Sequence, residues 1–247
     1  MERFSRTAAL VGEEAVRVLQ SKHVAVFGVG GVGSHTAEAL IRAGIGNLTL
    51  VDPDLVEISN FNRQLHALTS TLGRPKVDVM RERLLDINPQ ATVTACRAAY
   101  TAGNGACLGE GDYDYIVDAI DDIRAKVDLL AEARERNIPV VSSMGTGNRL
   151  RPWDFEITDI SCTRGCPLAR AVRRGLKRRG ITSGVKVVYS PVSPDRRGLR
   201  PPGSISFVPA AAGYFLAAVV VLDLLGLSGS DVERELRMKT EDASGTS

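Results

Sequence analysis

At 247 residues, 44% hydrophobic and 24% charged, the chain suits one large α/β domain and is too apolar to stay unfolded. Its formal net charge of +2 hides an uneven distribution. Residues 164–200 hold eleven Lys/Arg against the single acid Asp195, leaving 20 basic and 28 acidic residues elsewhere, so a polyanion partner becomes a candidate for that run.

In chain order, residues 6–20 have the periodicity of an amphipathic helix. His23–Val29 is a short apolar run ending in glycines, as expected of a buried parallel strand, and Gly33–Ala43 continues as a helix into a second strand at Asn47–Asp52. This strand, glycine turn, helix and strand make a Rossmann-type opening. A loop, Pro53–Asn62, leads to two predicted helical stretches around 63–70 and 75–87. Further strands are expected at Ala91–Ala98, Tyr113–Asp118 and Val140–Ser143, with a helix over 123–136. The alternation predicts an α/β fold with a mostly parallel central sheet and helices on both faces.

After Gly147 the pattern changes. Phe155–Asp159 and Val185–Ser190 read as strands of a further sheet section, flanking a basic helix at 167–179, and Ser204–Val208 leads into an apolar helix over 210–225. The expected organisation is one domain over 1–227, with a nucleotide-binding core at about 21–147, a substrate- and RNA-facing part at about 148–227, and a polar, flexible tail at 228–247. The apolar run before Asp223 falls short of the roughly 20 residues needed to span a bilayer, so a buried helix is preferred to membrane association. Four unevenly spaced cysteines and no apolar signal core at the N-terminus predict a cytoplasmic protein.

The chemistry-bearing residues sit where the strands end. Gly28, Gly30, Gly31 and Gly33 allow close backbone approach to a phosphate at a helix N-terminus, and Asp52 can accept bonds from ribose hydroxyls. That pair alone serves NAD as readily as ATP. Asn60, Arg63 and Lys76 favour a triphosphate, because fixed cations neutralise charge developing on the α-phosphoryl oxygens and the departing pyrophosphate. A hydride transfer builds no such charge. Asp121, in the run Asp118–Asp122, can hold Mg²⁺ between nucleotide oxygens.

The stretches GVGGVGSHTAEALIRAGIGNLTLVDPDLVEISNFNRQ, GRPKVDVMRERLLDINP and DYIVDAIDDIRAKVDL resemble the ubiquitin-activating-like family, which includes the molybdopterin- and thiamine-pathway adenylyltransferases. The resemblance covers nearly all of residues 3–225. It implies an adenylate-forming enzyme whose ATP-binding residues fall on Gly31, Asp52, Asn60, Arg63, Lys76 and Asp121, the last being the magnesium-associated aspartate. It also implies a homodimer in which Arg6 of one subunit reaches the partner's ATP site, although Thr7 replaces the family's usual glutamine.

The branches acting on ubiquitin-like tails carry two CxxC pairs around zinc. This sequence has none, so no structural zinc is expected. Ser143–Pro152, Thr158–Ile160, Cys166–Arg170, Lys177–Ile181 and Val187–Ser190 look instead like the tRNA threonylcarbamoyladenosine dehydratases. Such enzymes activate the threonyl carboxylate on adenosine 37 of tRNA, which then cyclises with loss of water. Arg170, Arg173, Arg174, Lys177, Arg178 and Arg179 become candidates for tRNA phosphates. Cys166 is a candidate for covalent chemistry, but ring closure needs no thiol, and a small buried residue at a helix start is the preferred reading. A monovalent cation (Na⁺ or K⁺) and cysteine-desulfurase partners are carried as further candidates from the resemblance. The retained alternatives are an adenylyltransferase for a ubiquitin-like sulfur carrier, an NAD(P)-dependent oxidoreductase and a non-enzymatic RNA-binding scaffold. His35 and His66 read as surface or helix residues, while Trp153, Phe155 and Tyr189 are candidate stacking partners for splayed tRNA bases, with core or loop packing the preferred reading.

Overall fold

The computed structural model describes residues 2–101, 112–194 and 202–227. Cys107, Arg196, Arg197, Arg200 and the predicted tail therefore lie outside the described residues. The expected first helix is two: α1 (Ser5–Val11) and α2 (Glu13–Ser21), separated at Gly12, whose φ of 89° belongs to neither helix. Val16 and Leu19 of α2 are buried at 0% exposure, so the amphipathic pattern survives the break.

The strands are β1 (His23–Phe27), β2 (Asn47–Val51), β3 (Thr92–Cys96), β4 (Tyr115–Asp118), β5 (Val140–Ser143), β6 (Glu156–Asp159) and β7 (Lys186–Tyr189). They form one sheet in the order β3-β2-β1-β4-β5-β7-β6. Every neighbouring pair is parallel except β6 with β7, so the two C-terminal strands extend the same sheet and end it with an antiparallel edge. The remaining helices are α3 (Gly33–Ala43), α4 (Lys76–Ile87), α5 (Ile123–Glu135), α6 (Pro167–Arg178) and α7 (Phe207–Leu224).

Strand alternation explains the layers, since successive side chains face opposite sides of a sheet. Val24 and Val26 of β1 join α3, α4 and α7 in one core, while Ala25 and Phe27 join α5 and α6 in the other. Helices thus cover both faces, as expected. The stretch 63–70 is not helical: it runs through turns into a short 3₁₀ turn at Thr69–Thr71. There Thr71 Oγ1 donates to the His66 carbonyl and accepts from the Leu68 amide, satisfying locally backbone groups that a helix would pair.

Helix α7 begins earlier than predicted and includes Pro209, tolerated because it lies in the first turn. Its 18 residues, with mean hydropathy 2.0, are long and apolar enough by composition to cross a membrane, yet they pack as a core helix. Its last turn is pinned to the sheet, because Asp223 accepts from the Tyr115 hydroxyl at 2.7 Å and pairs with Lys186. Cys162 is exposed and Cys166 buried, and both are free thiols.

Candidate active site

The chain lays down β1, β2 and β3 toward one sheet edge and then returns to place β4 and β5 on the other side of β1. Ligands of such sheets bind where this order reverses, beyond the carboxyl ends of the strands. Phe27 and Asp118 are register partners there, so the loops that follow them meet. A cleft of about 440 Å³ opens at this point.

The glycine loop forms its floor. Gly28 has a φ of 84°, and a Cβ there would lie 2.6 Å from the Ala119 carbonyl oxygen; a Cβ on Gly33 would lie 1.8 Å from that of Gly28. Only glycine lets the turn close this tightly against the 119–122 loop. At Gly30 the nearest atom to such a Cβ is the Gln64 amide at 3.8 Å, so the backbone there is open to a ligand.

Asp52, Asn60, Arg63, Lys76 and Asp121 all line the cleft with Gly28, Gly30 and Gly31. Asp52, only 6% exposed, accepts from the Val29 amide at 2.7 Å and the Asp54 amide at 2.9 Å. Burial pushes its carboxyl above the usual range, partly offset by the nearby Lys76 charge and those two amides. Each oxygen retains accepting capacity for a ribose hydroxyl.

Lys76 sits in the first turn of α4, the end of a helix that repels cations, and is 5% exposed. Its ammonium pairs with Asp54 at 2.7 Å. A buried cation at a positive helix end makes an anion site, where the dipole and the side chain attract the same charge. Arg63 is held from the opposite side: its guanidinium donates to the Ser59 carbonyl and to Asn62 Oδ1, both at 2.8 Å, and its stem lies over Gly31. Buried Asn60 accepts from the Glu57 amide at 3.0 Å and shapes the turn that carries Arg63.

Asp121 is exposed and makes no hydrogen bond or ion pair among the described residues, whereas its neighbour Asp122 caps α5 by accepting from the Ala125 amide. Asp121 is therefore open to a cation. Among the described residues no group of three or more His, Cys, Asp or Glu could hold a metal unaided, so an ion on Asp121 would share its shell with phosphate oxygens.

Some candidates lie elsewhere. Arg6 is exposed on α1 and does not line the cleft of its own chain. Cys166 is 4% exposed, caps α6 by position and belongs to the core facing α5 and α6. On α6, Ala169, Val172 and Leu176 face inward. Arg173 is committed to the Thr163 carbonyl at 2.7 Å, and Arg179, just after the helix, pairs with Asp128. Arg170, Arg174, Lys177 and Arg178 are exposed, and their side chains make no hydrogen bond or ion pair among the described residues.

Several cleft features were not read from the sequence. Thr146, Ser204, Tyr100 and Gln64 also line it. Beneath it, Lys126 and Asp118 form an ion pair at 2.7 Å with both side chains at 0% exposure. Lys126 also donates to Ser142 Oγ and the Ser143 carbonyl, and Asp118 accepts from the Ile120 amide, which braces the loop bearing Asp121. A lysine eight residues after a strand-end aspartate was the available signal. His66 is not a surface residue: it is 1% exposed, neither ring nitrogen has a partner among the described residues, and burial with the Lys76 charge lowers its pKa to about 4. His35 is half-buried on α3, its ring edge against Tyr214.

The sheet order, the glycine turn and a cleft with two anchored cations define a Rossmann-type α/β protein with its ligand site at the topological switch point. Residues 4–241 match the ThiF family. The chain belongs to that family. A tRNA threonylcarbamoyladenosine dehydratase of Bacillus subtilis (strain 168) is 43% identical over 242 residues, covering 91% of this chain and 95% of the relative. The dehydratase of Escherichia coli (strain K12) is 43% identical over 176 residues, 71% of this chain and 66% of its own length. The crystal structure of the E. coli dehydratase TcdA in complex with ATP superposes with a TM-score of 0.86 at 37% identity, covering 91% of this chain and 94% of that one.

Proposed function

We propose that this chain is an ATP-dependent tRNA threonylcarbamoyladenosine dehydratase. The carrying observation is the gathering of Arg63, Lys76, Asp52 and Asp121 around one glycine turn in a single cleft. The similarity to dehydratases over most of both chains supports the choice of substrate.

In the first step a threonyl carboxylate oxygen attacks the α-phosphorus of ATP. The bond to the bridging oxygen breaks and pyrophosphate leaves. Arg63 and Lys76, already held in place, neutralise charge as it moves onto the phosphate oxygens. Asp52 and Asn60 hold the nucleoside end. Mg²⁺ on Asp121 would supply further neutralisation of the phosphates. In the second step an atom of the substrate's own carbamoyl group attacks the acyl carbon, AMP leaves with the carboxylate oxygen, and a proton passes to solvent. The elements of water lost by the nucleoside end up in AMP and pyrophosphate. Both reacting groups belong to one side chain, so proximity replaces a protein nucleophile, and buried Cys166 serves packing.

The part at 21–147 binds the nucleotide and the part at 148–227 faces the RNA, with exposed Arg170, Arg174, Lys177 and Arg178 meeting tRNA phosphates. Exposed Arg6 serves the cleft of a second protomer in a homodimer. The setting is cytoplasmic; the family resemblance adds a monovalent cation and cysteine-desulfurase partners. Release of AMP from ATP should require tRNA carrying threonylcarbamoyladenosine. AMP release or pyrophosphate exchange driven instead by a Gly-Gly-ended carrier protein would transfer the reading to the sulfur-carrier adenylyltransferases.

A further inference from the structure

A second cavity, of about 520 Å³, opens beside the nucleotide cleft. The two share Ser204, and one loop serves both: Thr146 lines the cleft, while Asn148 and Arg149 line the cavity. Its wall is anchored. Arg149 is 8% exposed and donates to the Gly145 carbonyl at 2.9 Å and to Ser190 Oγ at 2.8 Å. Asn148, in the left-handed region at φ 56°, accepts from the Gly203 amide at 2.7 Å and donates its own amide to the Gly203 carbonyl at 2.8 Å. The loops 145–149, 190–193 and 203–205 are thereby joined.

The lining is chemically mixed, with apolar Leu150, Val192 and Ile205 beside polar Asn148, Ser190 and Ser193. Its size lies within the roughly 300–1,000 Å³ of small-molecule sites. Trp153, the chain's one tryptophan, stands in the short turn Pro152–Asp154 between two lining residues, Arg151 and Asp154, and is 74% exposed. Phe155 and Tyr189, at 6% and 1%, are core residues. Leu150 and Val192, which line the cavity, are also exposed, at 66% and 41%, so Trp153 belongs to a group of exposed apolar residues at the cavity rather than standing alone.

We propose that this cavity receives the modified adenine of the substrate tRNA, with Trp153 as the platform on which an unstacked anticodon-loop base stacks. RNA loops are recognised by splaying bases onto aromatic rings and bonding their edges; the polar lining supplies the edge contacts and Trp153, in the adjoining turn, the ring. Its continuity with the cleft through Ser204 lets a base held here extend its threonyl carboxylate toward the α-phosphate. The inference rests on the proposed dehydratase function and adds the position of the base.

Because Trp153 is the only tryptophan, its fluorescence reports the site directly. An anticodon stem-loop RNA carrying threonylcarbamoyladenosine should quench it in the full-length protein, and ATP alone should not. Trp153→Ala should raise KM for that RNA about tenfold, the loss of one base stack, with KM for ATP as the comparison, and Trp153→Phe should restore most of the effect. Dehydration by the wild type with no quenching and an unchanged RNA KM in Trp153→Ala would overturn the base site alone. Equal quenching by a hairpin without loop adenosines would overturn it too. A wild type that binds the stem-loop with quenching but forms no dehydrated nucleoside would retain the base site and defeat the dehydratase reading.

Discussion

The nucleotide cleft and the outer face of α6 both collect positive charge, but they hold it in opposite ways. In the cleft, Lys76 is 5% exposed and paired with Asp54, and Arg63 is tied to Ser59 and Asn62. On α6, Arg170, Arg174, Lys177 and Arg178 stand in solvent, their side chains without partners among the described residues. Charges fixed in place before the reaction can stabilise a transition state, because nothing has to reorganise when charge develops. Exposed charges on flexible stems are screened by salt and suit the diffuse attraction of a phosphate backbone. The first arrangement predicts catalysis and the second predicts docking.

The largest effect should follow from breaking the cleft. Arg63→Ala should lower pyrophosphate exchange by roughly 10²–10³-fold, the loss typical of one preorganised donor, while the protein stays folded by circular dichroism. Exchange at the wild-type rate would remove Arg63 from the chemistry. Next comes the brace beneath the cleft. Lys126→Met leaves the carboxylate of Asp118 buried without its partner and should cost about 3–5 kcal/mol in denaturant unfolding. Adding Asp118→Asn should recover part of that loss, which separates the unpaired charge from the change in packing.

The α6 face should respond differently. Replacing Arg170, Arg174, Lys177 and Arg178 with glutamine should weaken RNA binding and reduce its log–log salt dependence by about 0.7 for each single-strand phosphate that is no longer neutralised. Pyrophosphate exchange at saturating RNA should change far less than in Arg63→Ala. If the salt dependence is unaltered, the RNA lies on another face.

The smallest effect is a pH dependence of stability from His66. Its folded pKa is lowered from 6.5 to about 4, so between those values the unfolded chain binds the proton that the native state refuses. Stability should therefore fall as pH drops from about 6.5 toward about 4 and level off below. His66→Gln should flatten that part of the curve in thermal unfolding.

These regions also differ in how much of them could be read from the sequence. Part of the cleft was legible because some of its residues follow a strand or open a helix in a βαβ unit, so spacing along the chain translates into position at the switch point. Gly28, Asp52, Lys76 and Asp121 were placed that way. What failed depended on interactions between residues distant in sequence. Periodicity over 6–20 carried no sign that Gly12 would adopt a φ of 89° and divide the helix. The stretch 63–70 had helical spacing, but Thr71 and the turn around Asn60 satisfy its backbone otherwise. His66 and Lys126 look like surface residues by type, and only the packed structure shows them at 1% and 0% exposure. Trp153 erred in the other direction, since an aromatic is assigned to packing until its exposure is known.

One measurement reaches the central claim most directly. Transfer RNA carrying threonylcarbamoyladenosine is incubated with the protein, ATP and Mg²⁺, then digested, and its nucleosides are weighed by mass spectrometry. The account predicts that threonylcarbamoyladenosine loses the mass of one water, with AMP and pyrophosphate released in equal amounts, and that Arg63→Ala slows the change by roughly 10²–10³-fold. An unchanged nucleoside mass in the presence of active wild-type protein, or a water loss that proceeds without ATP, would contradict it.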